Sequence, residues 1–444
     1  MKILILGAGQ VGTSVASALA TENNDITVVD TDHQRLRDLA EKLDIRTVVG
    51  HASLPSVLAQ AGAEEAELLV AVTSSDEVNL IACQVAQHQF RTPTRVARLR
   101  EAQYLDVAAL ADPAHSAVSA AISPEQLVTR HVERLIEFPA ALQVLDFAER
   151  RAQLVAVRAV EGGALVGHAI RTLREHLPAG VDARVAAIFR HGKAVKPEAN
   201  TVIQVEDEVF FLADRRDILT VMSELRKLVV QPVRRILIAG GGNIGRNLAR
   251  NLESRYSVKV LERSRERARG IAEDLLREEN IDQTDVYCAM TNDDEANILS
   301  AMLAKRMGCP RVIALINRPS YAELVEGGTI DIAVSPQLVT LGALLAHIRE
   351  GAPARVYSLR RGAAEAIEAV VRGDRRTSQV IGRSLEELEL PPATTIGGIV
   401  RGDKLLIAHH DVVIEAGDHG ILFVMDKREM ARVSALFQTG ATWL

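Results

Sequence analysis

The stretch KILILGAGQVGTSVASAL, residues 2–19, decides the fold of this 444-residue chain. An apolar run is followed by the spacing G-x-G-x-x-G and then by apolar residues at helical spacing. A strand, a glycine-rich turn and a helix in this order predict a nucleotide-binding βαβ unit, in which the helix N-terminus presents free N–H groups to phosphates. The predicted binding residues of this turn are Gly7, Ala8, Gly9, Gln10, Val11 and Gly12.

An acidic residue at the end of the second apolar run strengthens this prediction. Asp30 follows Gly12 by 18 residues, where a carboxylate can accept hydrogen bonds from both ribose hydroxyls. Because a 2′-phosphate would meet like charge there, NAD(H) is favoured over NADP(H). The spacing G-x-G-x-x-G alone also occurs in purely structural turns, so the prediction depends on strand, glycines, helix and acid in register.

Further apolar runs alternate with amphipathic helical patterns, which predicts a parallel α/β sheet. The predicted strands are Ile3–Leu6, Ile26–Val29, Thr47–Val49, Leu68–Val72 and Arg95–Ala97.

The chain contains this pattern twice. Residues 2–19 reappear as RILIAGGGNIGRNLARNL at 235–252, and AVTSSDEVNLIACQVA at 71–86 reappears as AMTNDDEANILSAMLA at 289–304. Two later segments match in the same order, residues 122–129 with 334–340 and residues 201–212 with 412–423. Four matches in one order predict a tandem duplication of a whole module.

The second copy predicts a second nucleotide site, but it is shorter beyond that site. From Asp30 to Thr73 is 43 residues, whereas from Glu262 to Thr291 is only 29, a shortfall of 14 near residues 273–276. The third strand should lie there, and the loss of an interior strand would disrupt a parallel sheet. We therefore favour residues omitted from this sequence over a true deletion, although the sequence leaves both open. The predicted binding residues are Gly240, Gly241, Gly242, Asn243, Ile244, Gly245 and Glu262.

Polar residues follow the fourth predicted strand of each copy. Thr73, Ser74 and Thr291 are predicted at the carboxyl ends of strands, where open α/β sheets bind ligands. Helix capping is the alternative and is compatible with binding. Arg98 follows the next strand and can reach a phosphate or form a surface salt bridge. Leu315 takes its place in the second copy, so the two sites are expected to differ.

Each nucleotide-binding half is followed by a smaller mixed part. AAIFRHGKAV at 186–195 and GGIVRGDKLLI at 397–407 predict hairpins, because a Gly-containing turn separates two short apolar runs. We therefore predict two Rossmann-like parallel-sheet domains, residues 1–137 and 232–352, each followed by a small α+β domain, residues 138–231 and 353–444.

Composition excludes several classes of protein. The 52 basic and 58 acidic residues give a net charge of −6, which offers no basic footprint for nucleic acid. No apolar run of 18 residues predicts a membrane span, and the N-terminus lacks a signal-peptide pattern. Three widely spaced cysteines argue against a zinc ribbon or disulfide framework. We expect a cytoplasmic multidomain protein without a metal site.

The sequence offers no recognisable catalytic constellation. Each Rossmann-like half is followed by only about 90–100 residues, and these contain no paired-carboxylate, Ser–His or Cys–His pattern. Two nucleotide folds without a catalytic partner favour sensing over turnover, so we expect no enzyme. A nicotinamide-dependent oxidoreductase remains the alternative.

Together these motifs resemble the RCK family, the regulators of potassium conductance, and within it the peripheral subunits of bacterial Trk potassium uptake systems. The resemblance covers essentially the whole chain. GHAS at residues 50–53 also contributes, because it is similar to the first half of these Trk subunits, although it departs from the GDxT of many RCK domains. The 14-residue shortfall is the one real mismatch, and it affects the ribose and phosphate contacts expected in the second half. The resemblance is carried by GAGQVG with Asp30, AVTSSDEVN, RVARLRE, GGGNIG with Glu262, AMTNDDEANI, VIALINRPSY, VGHAIRTLREHL and IGRSLEELELP.

The resemblance implies a ligand, an assembly and a partner. NAD(H) would bind at residues 7–11, Asp30, Thr73, Ser74 and Arg98, and at residues 240–244 and Glu262, with ATP or ADP as alternative ligands. A homotetrameric ring would dock at the inner face of the membrane on a potassium-translocating subunit like TrkH or TrkG. We hypothesise that nucleotide binding changes the angle between modules and gates the channel. A regulatory module of another cation transporter is a further alternative.

Overall fold

The computed structural model describes residues 1–20, 24–105, 116–226, 233–262, 276–318, 320–321, 325, 330–348, 354–359, 363–408 and 411–437. The chain forms two compact units, Met1–Val132 with Arg234–Ile348, and Glu133–Val233 with Arg349–Leu444. Each unit therefore takes one part from each copy of the repeat. The domain boundaries proposed at residues 137, 231 and 352 remain predictions.

The first sheet is parallel, and all five strands predicted for it form with ends shifted by at most one residue. Its strands are β1 (Lys2–Leu6), β2 (Asp25–Asp30), β3 (Arg46–Val49), β4 (Leu68–Ala71), β5 (Thr94–Arg98) and β6 (Ala120–Ile122). The order β3-β2-β1-β4-β5-β6 reverses between β1 and β4, which is the point where doubly wound sheets bind ligands. The helices of this region are α1 (Gln10–Ala20), α2 (His33–Ala40), α3 (Pro55–Gln60), α4 (Asp76–His88), α5 (Ala102–Leu105) and α6 (Pro124–Glu137).

The first small domain is an antiparallel sheet of order β10-β9-β11-β8-β7. The predicted hairpin is confirmed, and His191 and Gly192 adopt φ 47° and 83° in its turn. The strands are β7 (Ala141–Phe147), β8 (Ala152–Arg158), β9 (Ala183–Arg190), β10 (Lys193–Val195) and β11 (Glu208–Asp214). A 3₁₀ turn (Ile170–Thr172) and helices α7 (Leu173–His176) and α8 (Ile218–Arg226) accompany them.

The second parallel sheet repeats the first without a counterpart of β3 among the described residues. Its order is β13-β12-β14-β15-β16. The strands are β12 (Arg235–Ala239), β13 (Ser257–Leu261), β14 (Val286–Ala289), β15 (Arg311–Leu315) and β16 (Ile332–Val334). The helical segments are α9 (Asn243–Leu252), α10 (Asp294–Arg306), α11 (Pro336–Ile348) and a 3₁₀ turn (Ile281–Gln283).

This topology corrects one premise of the sequence analysis. The third strand of the first copy, β3, lies at the edge of its sheet and not in the interior. A sheet that ends at β13 therefore keeps every interior hydrogen-bonded pairing, so the shortfall does not by itself argue for omitted residues. The predicted position of the shortfall, residues 273–276, lies outside the described residues except for Leu276, which is buried in the core of this half.

The second small domain repeats the first, with sheet order β17-β18-β21-β19-β20 and the predicted hairpin between β19 and β20. The two small domains share an apolar core, in which Phe147 and Phe210 pack with Leu359 and Phe423. The strands are β17 (Ala354–Leu359), β18 (Ala364–Val370), β19 (Thr394–Arg401), β20 (Lys404–Ile407) and β21 (His419–Val424). Two 3₁₀ turns (Leu385–Glu387 and Lys427–Glu429) and α12 (Met430–Leu436) complete the described elements.

Candidate functional site

At two positions of the first turn, the backbone conformation or a close contact within the protein requires glycine. Gly7 has φ +107°, a conformation that residues with a side chain rarely adopt. A Cβ on Gly12 would lie 1.8 Å from the carbonyl oxygen of Gly7, so only glycine allows α1 to start this close to β1. The second copy repeats both constraints, with φ +109° at Gly240 and a distance of 1.9 Å for Gly245.

The middle glycine of each turn has no such requirement. A Cβ on Gly9 would find no atom of the described residues within 4 Å, and the same holds for Gly242. Neither glycine has a positive φ. Packing and backbone strain therefore do not explain glycine at this position in either copy. A ligand whose phosphates approach the backbone at the helix N-terminus does explain it.

Asp30 is fixed beside the first turn by two backbone hydrogen bonds. The Ala8 N–H donates to Oδ2 at 2.6 Å, and the Asp32 N–H donates to Oδ1 at 2.8 Å. An ionised carboxylate has about four lone-pair positions, so it can still accept from ribose hydroxyls. The structure thus places the predicted acid directly next to the predicted turn.

The second turn differs in one matched pair of residues. Glu262 accepts the N–H of Gly241, as Asp30 accepts that of Ala8. A Cβ on Gly241 would lie 2.7 Å from the Glu262 carboxylate. The longer acid therefore fits because the second copy has glycine where the first has Ala8.

Thr73 and Thr291 are each held by a buried asparagine that the sequence analysis did not single out. Asn79 is 0% exposed. Its Oδ1 accepts the N–H of Thr73 at 3.0 Å, and its Nδ2 donates to the carbonyl of Arg98 at 2.9 Å. Asn297 repeats these bonds with Thr291 at 3.0 Å and the carbonyl of Leu315 at 2.8 Å. Asn79 thus joins the ends of β4 and β5, and Asn297 joins the ends of β14 and β15.

A buried aspartate fixes the loop after the fifth strand. Asp76 accepts the N–H groups of Arg100 and Glu101, both at 2.8 Å. Asp294 does the same for the N–H groups of Asn317 and Arg318 in the second copy, at 2.8 and 2.9 Å. The recurrence of Asp and Asn three residues apart in both copies was the signal that could have identified these residues.

The capping interpretation of the polar loops is also correct. The Ser75 hydroxyl accepts the N–H of Val78, and the Asp293 carboxylate accepts that of Ala296. Ser74 remains exposed and lines a cavity of about 560 Å³. Asn243, predicted for the second site, lines the same cavity.

Arg98 is buried at the carboxyl end of β5, with 8% of its surface exposed, so the surface salt-bridge interpretation does not apply. Its Nε has no hydrogen-bond partner among the described residues. Burial lowers the pKa of its guanidinium and nearby Arg100 adds to this, whereas Glu125 and Asp76 oppose it. A buried cation that lacks part of its hydrogen bonding is suited to an anionic ligand.

The described residues contain no group of three or more His, Cys, Asp or Glu side chains that could hold a metal, and no helix long and apolar enough to cross a membrane. All three cysteines are buried. Burial raises the pKa of Cys83 and Cys288 to about 12 and that of Cys309 to about 11, so these thiols stay protonated near neutral pH.

Comparison with known proteins agrees with this architecture. Residues 3–122 and 236–336 match the TrkA-N domain, and residues 154–226 and 375–438 match the TrkA-C domain. The Trk system potassium uptake protein TrkA of Halomonas elongata is 55% identical over 460 aligned positions, covering 100% of both chains. The TrkA proteins of Vibrio alginolyticus and Haemophilus influenzae are 53% and 45% identical, again over 100% of both chains.

The alignment with the Halomonas protein is longer than the 444 residues of this chain, so that relative has residues without a counterpart here. Among solved structures, the GsuK RCK domain aligns with a TM-score of 0.60 at 18% identity, over 98% of this chain and 94% of that chain. The GsuK channel bound to NAD gives 0.60 at 18% identity, over 98% and 79%. These structures share the fold. The chain therefore belongs to the TrkA family, with two TrkA-N matches that lie on the parallel sheets and two TrkA-C matches that lie on the antiparallel sheets.

Proposed function

We propose that this protein is a regulatory subunit of a potassium uptake system and acts by binding NAD(H) at both glycine-rich turns, with ATP or ADP as alternative ligands. It works by binding and not by turnover, since the sequences of the small domains contain no recognisable paired-carboxylate, Ser–His or Cys–His pattern. The full-length similarity to Trk system potassium uptake proteins supports the assignment to a potassium uptake system.

The observation that carries the ligand assignment is the middle glycine of each turn. Gly9 and Gly242 leave open space at the start of α1 and α9, which none of the residues that the structure describes fills. Asp30 and Glu262 stand beside these turns, joined to the backbone N–H of the residue just before each of those glycines. Backbone N–H groups for a pyrophosphate and a carboxylate for ribose hydroxyls are what NAD(H) requires. The negative charge disfavours the 2′-phosphate of NADP(H).

The proposed mechanism is allosteric. The subunit associates as a homotetrameric ring with a TrkH- or TrkG-like membrane subunit at the inner face of the cell membrane. Nucleotide binding favours one ring shape over another and so changes the gate. A ligand shifts such an equilibrium only through its different affinities for the two shapes. A coupling of about 1–3 kcal/mol would give a roughly 5- to 150-fold response.

Calorimetric titration of the purified full chain with NADH, NAD⁺, ATP and ADP, with light scattering on the same sample, tests the proposal. Gly9→Ala adds a methyl group where only a ligand would meet it. We expect NADH affinity at the first site to fall about tenfold or more. The free energy of unfolding without ligand should stay equal or rise by up to about 1 kcal/mol.

Gly12→Ala is the matched control, because its methyl group would meet the Gly7 carbonyl and should lower the stability of the ligand-free protein. A wild-type protein that binds none of the four nucleotides would remove the proposal. Undiminished NADH affinity in Gly9→Ala would show that the ligand does not approach this turn.

A further inference from the structure

The two candidate nucleotide sites have the same backbone arrangement and differ in one side chain, at the end of β5 in the first and of β15 in the second. Asn79 and Asn297 bind the carbonyl groups of Arg98 and Leu315 at 2.9 and 2.8 Å, so these two residues occupy equivalent places at the ends of β5 and β15. Both side chains are buried, with 8% and 3% exposed. One site therefore presents a cation where the other presents an aliphatic group.

The cation of the first site is incompletely paired. The Arg98 Nε lacks a partner, and so does the buried Oε2 of Glu125 at the start of α6. Burial raises the pKa of the Glu125 carboxyl, although Arg100 and Arg98 oppose this. Glu125 therefore neutralises the charge of Arg98 only in part. A phosphate oxygen would complete the hydrogen bonding of Arg98.

In the second site, the two polar side chains that follow Ile316 already have partners within the protein. The Asn317 side-chain amide donates to Asp294 at 2.9 Å. Arg318 pairs with Glu295 at 3.1 Å and lies 5.0 Å from the centre of the Tyr321 ring. The buried Leu315 therefore gives this end of the site an apolar surface.

We propose that Arg98 and Leu315 make the two sites select different nucleotides. The first favours a ligand with a terminal phosphate, such as ATP. The second favours a ligand with an uncharged far end, such as NADH. In a doubly wound sheet the turn after β1 and the acid after β2 bind the pyrophosphate and adenosine ribose, so the ends of the fourth and fifth strands meet the far end of the ligand. This inference rests on the proposed nucleotide-binding function.

Site-specific titrations test it. In Glu262→Ala the first site is measured, and in Asp30→Ala the second, each with ATP and with NADH. We expect the ratio of ATP affinity to NADH affinity to be higher at the first site. Adding Arg98→Leu to Glu262→Ala should lower that ratio about tenfold or more, the size of a charged hydrogen bond. Leu is already accepted at the equivalent place in the second copy, so the variant should fold.

Arg46→Leu is the matched control, since it removes the same charge from the amino end of β3, an edge strand that three strands separate from β5. It should change the ratio less than about threefold. Leu315→Arg in Asp30→Ala is the reciprocal variant and should raise the ratio. If both sites bind nucleotides and Arg98→Leu leaves the ratio unchanged, the selectivity inference is wrong while the proposed function stands. If neither site binds ATP or NADH, the proposed function itself fails.

Discussion

At the scale of single residues, the Asn79 amide joins two of the strand ends that form the first site. Its Oδ1 lies 3.0 Å from the Thr73 nitrogen and 2.7 Å from the Thr73 hydroxyl oxygen. Its Nδ2 donates to the carbonyl groups of Arg98 and Thr73 at 2.9 and 3.3 Å. Because the residue is fully buried, water cannot replace these bonds.

Asn79→Leu should therefore be costly. The substitution keeps a side chain of similar size but leaves the Thr73 N–H and the Arg98 carbonyl without their partner. We expect the free energy of unfolding to fall by roughly 2–5 kcal/mol, because each buried unpaired group costs about 1–3 kcal/mol. Urea denaturation measures this loss. Gln84→Leu, at an exposed position of α4, is the control and should change stability by no more than about 0.5 kcal/mol. Similar stabilities for the two variants would contradict the role given to Asn79.

At the scale of elements, local sequence patterns predicted the strands and hairpins, but they did not predict the order of the strands or the packing between elements. The period of apolar residues and the Gly turns are local signals, so β1 to β5 and both hairpins could be predicted. The edge position of β3 depends on strand order, which no local pattern records. The burial of Arg98 depends in the same way on tertiary packing around the end of β5.

Helix α11 is a second element whose partner the sequence did not reveal. It follows the second parallel sheet, yet Leu344 is buried in the core of the first parallel-sheet half, in one cluster with Val15 and Leu19 of α1. The Gln337 side-chain amide also donates to the Gln10 carbonyl at 3.2 Å. The helix that carries the first glycine-rich turn is therefore packed directly against the second copy.

Leu344→Ala tests this packing. The side chain is 0% exposed, so we expect a loss of about 2–5 kcal/mol in the free energy of unfolding, from lost burial and the cavity left behind. Leu299→Ala is the matched control, because Leu299 on α10 is 66% exposed and its loss should cost no more than about 0.5 kcal/mol. Thermal or urea denaturation of both variants gives the comparison. Equal stabilities would mean that α11 does not pack on α1 in solution.

At the scale of the whole molecule, duplication gives one compact unit two glycine-rich turns. Both turns keep a glycine at positive φ, a middle glycine with open space where a Cβ would lie, and an acid, although the described part of the second copy contains no counterpart of β3. Such a sheet is compatible with binding because the turn, the acid and the buried asparagine of the second copy lie at the ends of β12, β13, β14 and β15. We therefore predict two NADH molecules bound per chain.

The rise in the free energy of unfolding on addition of NADH measures how many sites each chain has. At a free NADH concentration of 100 times the dissociation constant of the weaker site, each site should add at least about 2.7 kcal/mol to the free energy of unfolding, because only the folded chain binds. Asp30→Ala and Glu262→Ala should each remove the contribution of one site, and the double variant should show none. Calorimetric stoichiometries of two, one, one and zero should accompany these shifts. A wild-type stoichiometry of one that Asp30→Ala abolishes would mean that the second turn keeps the geometry of a nucleotide site without its affinity.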